Sequence, residues 1–123
     1  GTDACIISTG IISHESLLAA EMLEEKGIST RIVHIPTIKP LDKDLVRDCA
    51  DRFNLIITAE NHSVIGGLGS AVLEALDYRK DTKIFRLGLQ DKFGQTGSIE
   101  WLLNTYQVNA KHIYKAVLDN FSK

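Results

Sequence analysis

The sequence predicts a three-layer α/β/α fold on a mainly parallel four-stranded sheet, with strand order 2-1-3-4. Three observations predict it. Short β-branched apolar runs occur at residues 4–9, 30–35, 55–59 and 84–87. None of them alternates polar with apolar residues, so each reads as a strand covered on both faces. Stretches of helical periodicity separate the runs with connections of only a few residues, which implies right-handed crossovers and parallel strands.

Taken in order, the first strand (4–9) leads to a helix that Ser13 can cap. Its apolar stripe is Leu18, Ala19, Met22 and Leu23, and Gly27 stands where a left-handed C-terminal residue belongs. The second strand (30–35) runs into Ile35-Pro36-Thr37-Ile38-Lys39-Pro40-Leu41-Asp42, where Lys39-Pro40 makes a rigid turn. Asp42 can then cap a second helix that carries Leu45, Val46, Cys49 and Ala50 on one face. The third strand (55–59) enters a glycine-bearing segment and a third helix, whose stripe is Leu68, Val72, Ala75 and Leu76. After the fourth strand (84–87), helical patterns cover residues 98–106 and 109–121. The order is β-α-β-α-β-α-β-α-α, and no repeat or linker divides residues 1–123, so one domain is expected.

Composition narrows the function. The hydrophobic fraction is 44% and the charged fraction 24%, as globular domains have and disordered chains do not. Fourteen basic residues against 16 acidic ones give a net charge of −2, which draws the chain toward neither nucleic acid nor an anionic membrane. No apolar run approaches the roughly 20 residues of a membrane helix, and no signal peptide opens the chain. Cys5 and Cys49 fall in apolar runs and read as reduced core residues of a cytoplasmic protein. Gly1 stands in place of an initiator methionine, which fits a piece excised or processed from something longer.

In a Rossmann-like sheet of this order, a ligand crevice belongs at the C-terminal ends of strands one and three, near residues 8–10 and 60–69. The second segment reads Glu60-Asn61-His62-Ser63-Val64-Ile65-Gly66-Gly67-Leu68-Gly69. Gly66, Gly67 and Gly69 could let backbone N–H groups at a helix start face an anion; they equally make a turn and let the helix pack closely. As a dinucleotide fingerprint the segment fails, because Val72 takes the last glycine place and the motif follows the wrong strand. No Lys-Ser or Lys-Thr follows the glycines, so it is not a P-loop. Glu60 and His62 are spaced to share one side of a strand, as an acid–base pair or as a contact that braces the loop.

Other chemistries find no support. His14, His34, His62 and His112 share no metal-ligand spacing with one another or with the cysteines. Neither Ser8 nor Ser63 is framed by G-x-S-x-G. Cys5 falls mid-strand and Cys49 on a buried helical stripe, so neither reads as a thiol nucleophile. Phe93, in the long loop Asp91-Lys92-Phe93-Gly94-Gln95-Thr96-Gly97, could anchor a partner or fold onto its own domain.

Four blocks together resemble the C-terminal domain of transketolase: Ile6-Ile7-Ser8-Thr9-Gly10 before a helix, IPTIKPLD at 35–42, ENHSVIGGLG at 60–69 and DKFGQTG at 91–97. They stand in family order and spacing and span nearly the whole chain. Related domains close deoxyxylulose-phosphate synthase and the β subunits of 2-oxo acid dehydrogenases, but the D-x-F-G-x-x-G block is more similar to transketolase.

The resemblance implies a transferase of the pentose phosphate pathway. Such enzymes use thiamine diphosphate and a divalent cation, magnesium, to move a two-carbon ketol unit between sugar phosphates. In that family the cofactor lies between two preceding domains, which this chain lacks along with the Gly-Asp-Gly metal motif. The resemblance therefore places no thiamine, metal or catalytic residue here, and it implies a domain that supports assembly and is inactive alone. The implied partners are the thiamine-binding domains or a separate N-terminal subunit, in a dimer or other homo-oligomer. The family's antiparallel edge strand, which would precede residue 4, is not visible, so the outer edge of strand two is expected to pair with another chain. The alternatives are a free-standing phosphate- or nucleotide-binding module that uses the 60–69 crevice, or the same domain from deoxyxylulose-phosphate synthase or a 2-oxo acid dehydrogenase β subunit.

Overall fold

The computed structural model describes residues 1–10, 12–36, 40–63, 67–76, 81–89 and 109–121, with only the backbone of 61–63 and 89. Its elements are β1 (Ala4–Ser8), α1 (Ile12–Glu25), β2 (Thr30–His34), α2 (Lys43–Arg52), β3 (Leu55–Ser63), α3 (Leu68–Leu76), β4 (Lys83–Leu89) and α4 (Ala110–Asn120). The strands form one sheet in the order β2-β1-β3-β4, and each pairing is parallel. Ile6 at the centre of β1 is in register with Ile32 on one side and Ile57 on the other.

Because side chains alternate along a strand, the sheet has two apolar faces and needs two covers. Ala4, Ile6, Ile57 and Ala59 pack against Ala19 and Leu23 of α1 and Ile113 and Val117 of α4. Cys5, Ile7 and Ile56 pack on the opposite face against Val46 and Cys49 of α2 and Leu68 and Val72 of α3. Each large aliphatic side chain enclosed in this way contributes about 1.5–3 kcal/mol. This is the three-layer architecture and strand order expected from the sequence.

The helix ends follow their local chemistry. Asp42 caps α2, its Oδ1 accepting the Leu45 N–H at 3.1 Å. Asn109 caps α4 by accepting the N–H of His112 at 3.1 Å. At the end of α1, the N–H groups of Gly27 and Ile28 return to the carbonyls of Glu24 and Leu23 at 2.9 and 3.0 Å. That closure needs a left-handed residue, and Gly27 supplies it at φ +77°.

Three local expectations are corrected. Helix α1 starts at Ile12, so Ser13 lies inside its first turn and does not cap it. The α1 stripe is Ile12, Ser16, Ala19 and Leu23, while Leu18 is 37% exposed and Met22 only half-buried. The helical period counted from Ile12 turns Leu18 to the margin, and Ser16 is tolerated inside because its hydroxyl donates to the Ile12 carbonyl at 2.9 Å. Strand β3 runs to Ser63 instead of ending at 59, because β4 continues alongside it and pairs Ser63 with Leu89 across a register shift. The helical pattern at 98–106 lies outside the described residues, as do Phe93 and most of IPTIKPLD's turn. Among the described strands none is antiparallel, β2 pairs only with β1, and Gly1 lies directly against the Thr30–Arg31 backbone.

Candidate functional site at the strand ends

Side chains at the C-terminal ends of β1 and β3 gather into two clusters on opposite faces of the sheet. Thr58 and Glu60 follow Ile56 in alternation and so face α3. Glu60 is fully buried, and both carboxylate oxygens are engaged. Oε1 accepts the Leu68 N–H and Oε2 the Gly69 N–H, each at 2.8 Å. The strand thus supplies the cap for the helix that follows it. Those N–H groups at the positive end of the helix are the donors an incoming anion would need, and Glu60 occupies them.

Gly69 also fixes how closely α3 approaches the sheet. A Cβ at this position would stand 2.7 Å from Cδ of Arg86 and 3.0 Å from Oγ1 of Thr58. Thr58 Oγ1 is itself buried without a hydrogen-bond partner. Gly67 precedes the helix, and its carbonyl accepts the Ala71 N–H at 3.0 Å. His62 lies on the backbone of β3, two residues beyond Glu60, with its side chain outside the described residues; Gly66 also lies outside them.

The second cluster faces α1, and nothing in the sequence reading joined its members. Ser8 at the end of β1 donates to Ser13 Oγ at 3.1 Å, and Ser13 Oγ lies 2.5 Å from Nδ1 of His34. The Ser13 hydroxyl thus stands between Ser8 and Nδ1 of His34, and the imidazole tautomer sets which partner donates in the second contact. The chain of hydroxyls runs from the buried strand end to an exposed histidine. The available signal was that β1 and β2 are neighbours, so their last residues and the first turn of α1 must meet.

Among the described residues, no group of three or more His, Cys, Asp or Glu could hold a metal ion. The one buried carboxylate at the strand ends is committed to α3. Among the described residues these donors do not suit a diphosphate with its divalent cation.

Residues 1–113 match the family model for the transketolase C-terminal domain. The chain belongs to that family. A Methanocaldococcus jannaschii protein named as a transketolase C-terminal section is 39% identical over 124 residues, which cover all of this chain and 38% of that one. A 1-deoxy-D-xylulose-5-phosphate synthase from Caldanaerobacter subterraneus is 32% identical over 124 residues, covering all of this chain and 20% of the synthase. Among solved structures, a split-gene transketolase described as an inactive beta4 tetramer superposes with a TM-score of 0.89 at 39% identity. That match covers 97% of this chain and 39% of the tetramer's chain. The chain thus spans about two-fifths of the transketolase relatives and one-fifth of the synthase.

Proposed function

We propose that residues 1–123 form the C-terminal domain of a thiamine diphosphate-dependent transketolase, which supports assembly of an enzyme that transfers two-carbon ketol units between sugar phosphates. The observation that carries this reading is the likeness to the split-gene transketolase chain over 97% of the present one. The engagement of Glu60 with α3 also supports it, because that crevice is spent on packing the domain. Cofactor, magnesium and the reacting sugars belong to the preceding domains or to an N-terminal subunit, and this domain is inactive alone. The expected setting is a cytoplasmic homo-oligomer; among the described residues no helix is long and apolar enough to cross a membrane. The outer edge of β2 is the proposed place for pairing with another chain.

Co-expression with the thiamine-binding half of a split transketolase tests the assignment. Co-elution on size exclusion, with ketol transfer present only in the mixture, is the expected result. A mixture that never associates, or ketol transfer by this chain alone, would contradict it.

A further inference from the structure

Strand β4 and helix α4 enclose a cavity that shares no residue with the two clusters at the strand ends. Phe85 and Leu87 alternate with Arg86 along β4, so they turn toward α4 while Arg86 turns toward α3. Phe85 is 38% exposed, although its register partner Ile57 is fully buried. Phe85, Leu87 and Ala116 form the apolar wall of the cavity, whose volume is about 360 Å³. That lies within the roughly 300–1,000 Å³ of small-molecule sites. Lys111, His112, Lys115 and Asp119 complete the lining, spaced three and four residues apart along one side of α4.

The charges in the cavity do not cancel. Neither lysine, nor Asp119, is ion-paired among the described residues. The imidazole of His112 is fixed by the helix cap: its Nδ1 lies against Oδ1 of Asn109, the same oxygen that accepts the His112 backbone N–H. That oxygen only accepts, so Nδ1 keeps its proton and Nε2 is the nitrogen that titrates. Burial, together with Lys111 and Lys115, holds the imidazole below its ordinary 6.5, so it is neutral at about pH 7.5. Two lysines against one aspartate then leave a single net positive charge.

We propose that this cavity binds a small organic monocarboxylate, with the carboxylate among Lys111, His112 and Lys115 and the apolar body against Phe85, Leu87 and Ala116. One negative charge balances the cavity, whereas a phosphate dianion overshoots it beside Asp119. A neutral ligand leaves both lysines uncompensated. The bound carboxylate offsets the repulsion that the lysines exert on a protonated imidazole, so it raises the His112 pKa toward the ordinary value. The cavity charges facing Nε2 all come from α4, because β4 contributes only Phe85 and Leu87. Among the described residues α1 and β3, which also pack against α4, contribute nothing to the lining.

The test titrates the isotope-labelled chain by NMR with benzoate, and in separate arms with phenyl phosphate and benzyl alcohol, at about pH 7.5. Saturable shifts centred on the amides of Phe85, Leu87, His112 and Ala116 are expected with benzoate, with both control compounds binding more weakly. The His112 imidazole titration should move up toward 6.5 when benzoate is bound. Lys111→Met combined with Lys115→Met is expected to weaken benzoate by about tenfold or more, as the loss of charged hydrogen-bond donors does. Shifts that scatter over the surface without saturating, equal binding of benzyl alcohol, tighter binding of phenyl phosphate, or a His112 titration unmoved by benzoate would each overturn the proposal. Both lysines are exposed and the wild-type arms decide the matter even if the variant fails to fold.

Discussion

Gly69 and Arg86 meet where α3 crosses the sheet, so closely that a Cβ on the glycine would stand 2.7 Å from the arginine's Cδ. An added methyl gains about 0.5–1 kcal/mol of helix propensity. It also collides with buried Thr58 at 3.0 Å and must displace Arg86, and such overpacking costs about 1–3 kcal/mol. The collision is the larger effect. Gly69→Ala is expected to lower stability by about 1 kcal/mol, with a smaller loss in an Arg86→Ala background. Urea denaturation of the four members of that cycle checks it, and equal losses in both backgrounds would remove Arg86 from the explanation.

Glu60 and Thr58 share a wall of this packing and should respond in opposite senses. Glu60→Gln keeps the shape but turns an N–H donor toward one of the two helix N–H groups. The buried donor left unsatisfied costs about 1–3 kcal/mol. Thr58→Val removes a hydroxyl without a partner and should be neutral or stabilising by up to about 1 kcal/mol. Denaturant midpoints for the two variants give the comparison, and a destabilised Thr58→Val would mean that the hydroxyl is bonded after all.

His112 predicts an acid-side weakness. Burial, with the positive charges of Lys111 and Lys115, holds its imidazole below the ordinary 6.5. Near pH 6 the unfolded chain therefore binds more protons at this residue than the folded chain does. The stability associated with neutral His112 is full above about pH 6.5 and is lost as pH falls through the lower folded value. Midpoints measured between about pH 7.5 and pH 5 should decline more steeply in the wild type than in His112→Gln. Parallel profiles would show that another group controls the decline.

Much of the fold was legible because it follows from local patterns. Four unbroken apolar runs separated by helical stretches leave few arrangements beyond a parallel sheet covered on both faces. The side chains of Asp42 and the backbone of Gly27 act within a few residues of themselves, so their roles could be read directly. Leu18 misled because two adjacent leucines fit several helical phases, and only packing against the sheet chooses one. The site was harder for the same reason. Glu60 was visible as a candidate, but its engagement with Leu68 and Gly69 depends on where the next helix begins. Ser13 and His34 are joined only by the lateral order of the strands and the first turn of α1.

Thermal unfolding of the purified chain with thiamine diphosphate and magnesium tests the central claim most directly. A ligand at about a hundredfold excess over its dissociation constant adds about 2.7 kcal/mol. In a domain of this size that moves the midpoint by roughly 10 °C. The account predicts an unchanged midpoint for this chain and a rise only when the cofactor-binding half is also present. A saturable rise with this chain alone would place the cofactor site within residues 1–123 and contradict its assignment as a supporting domain.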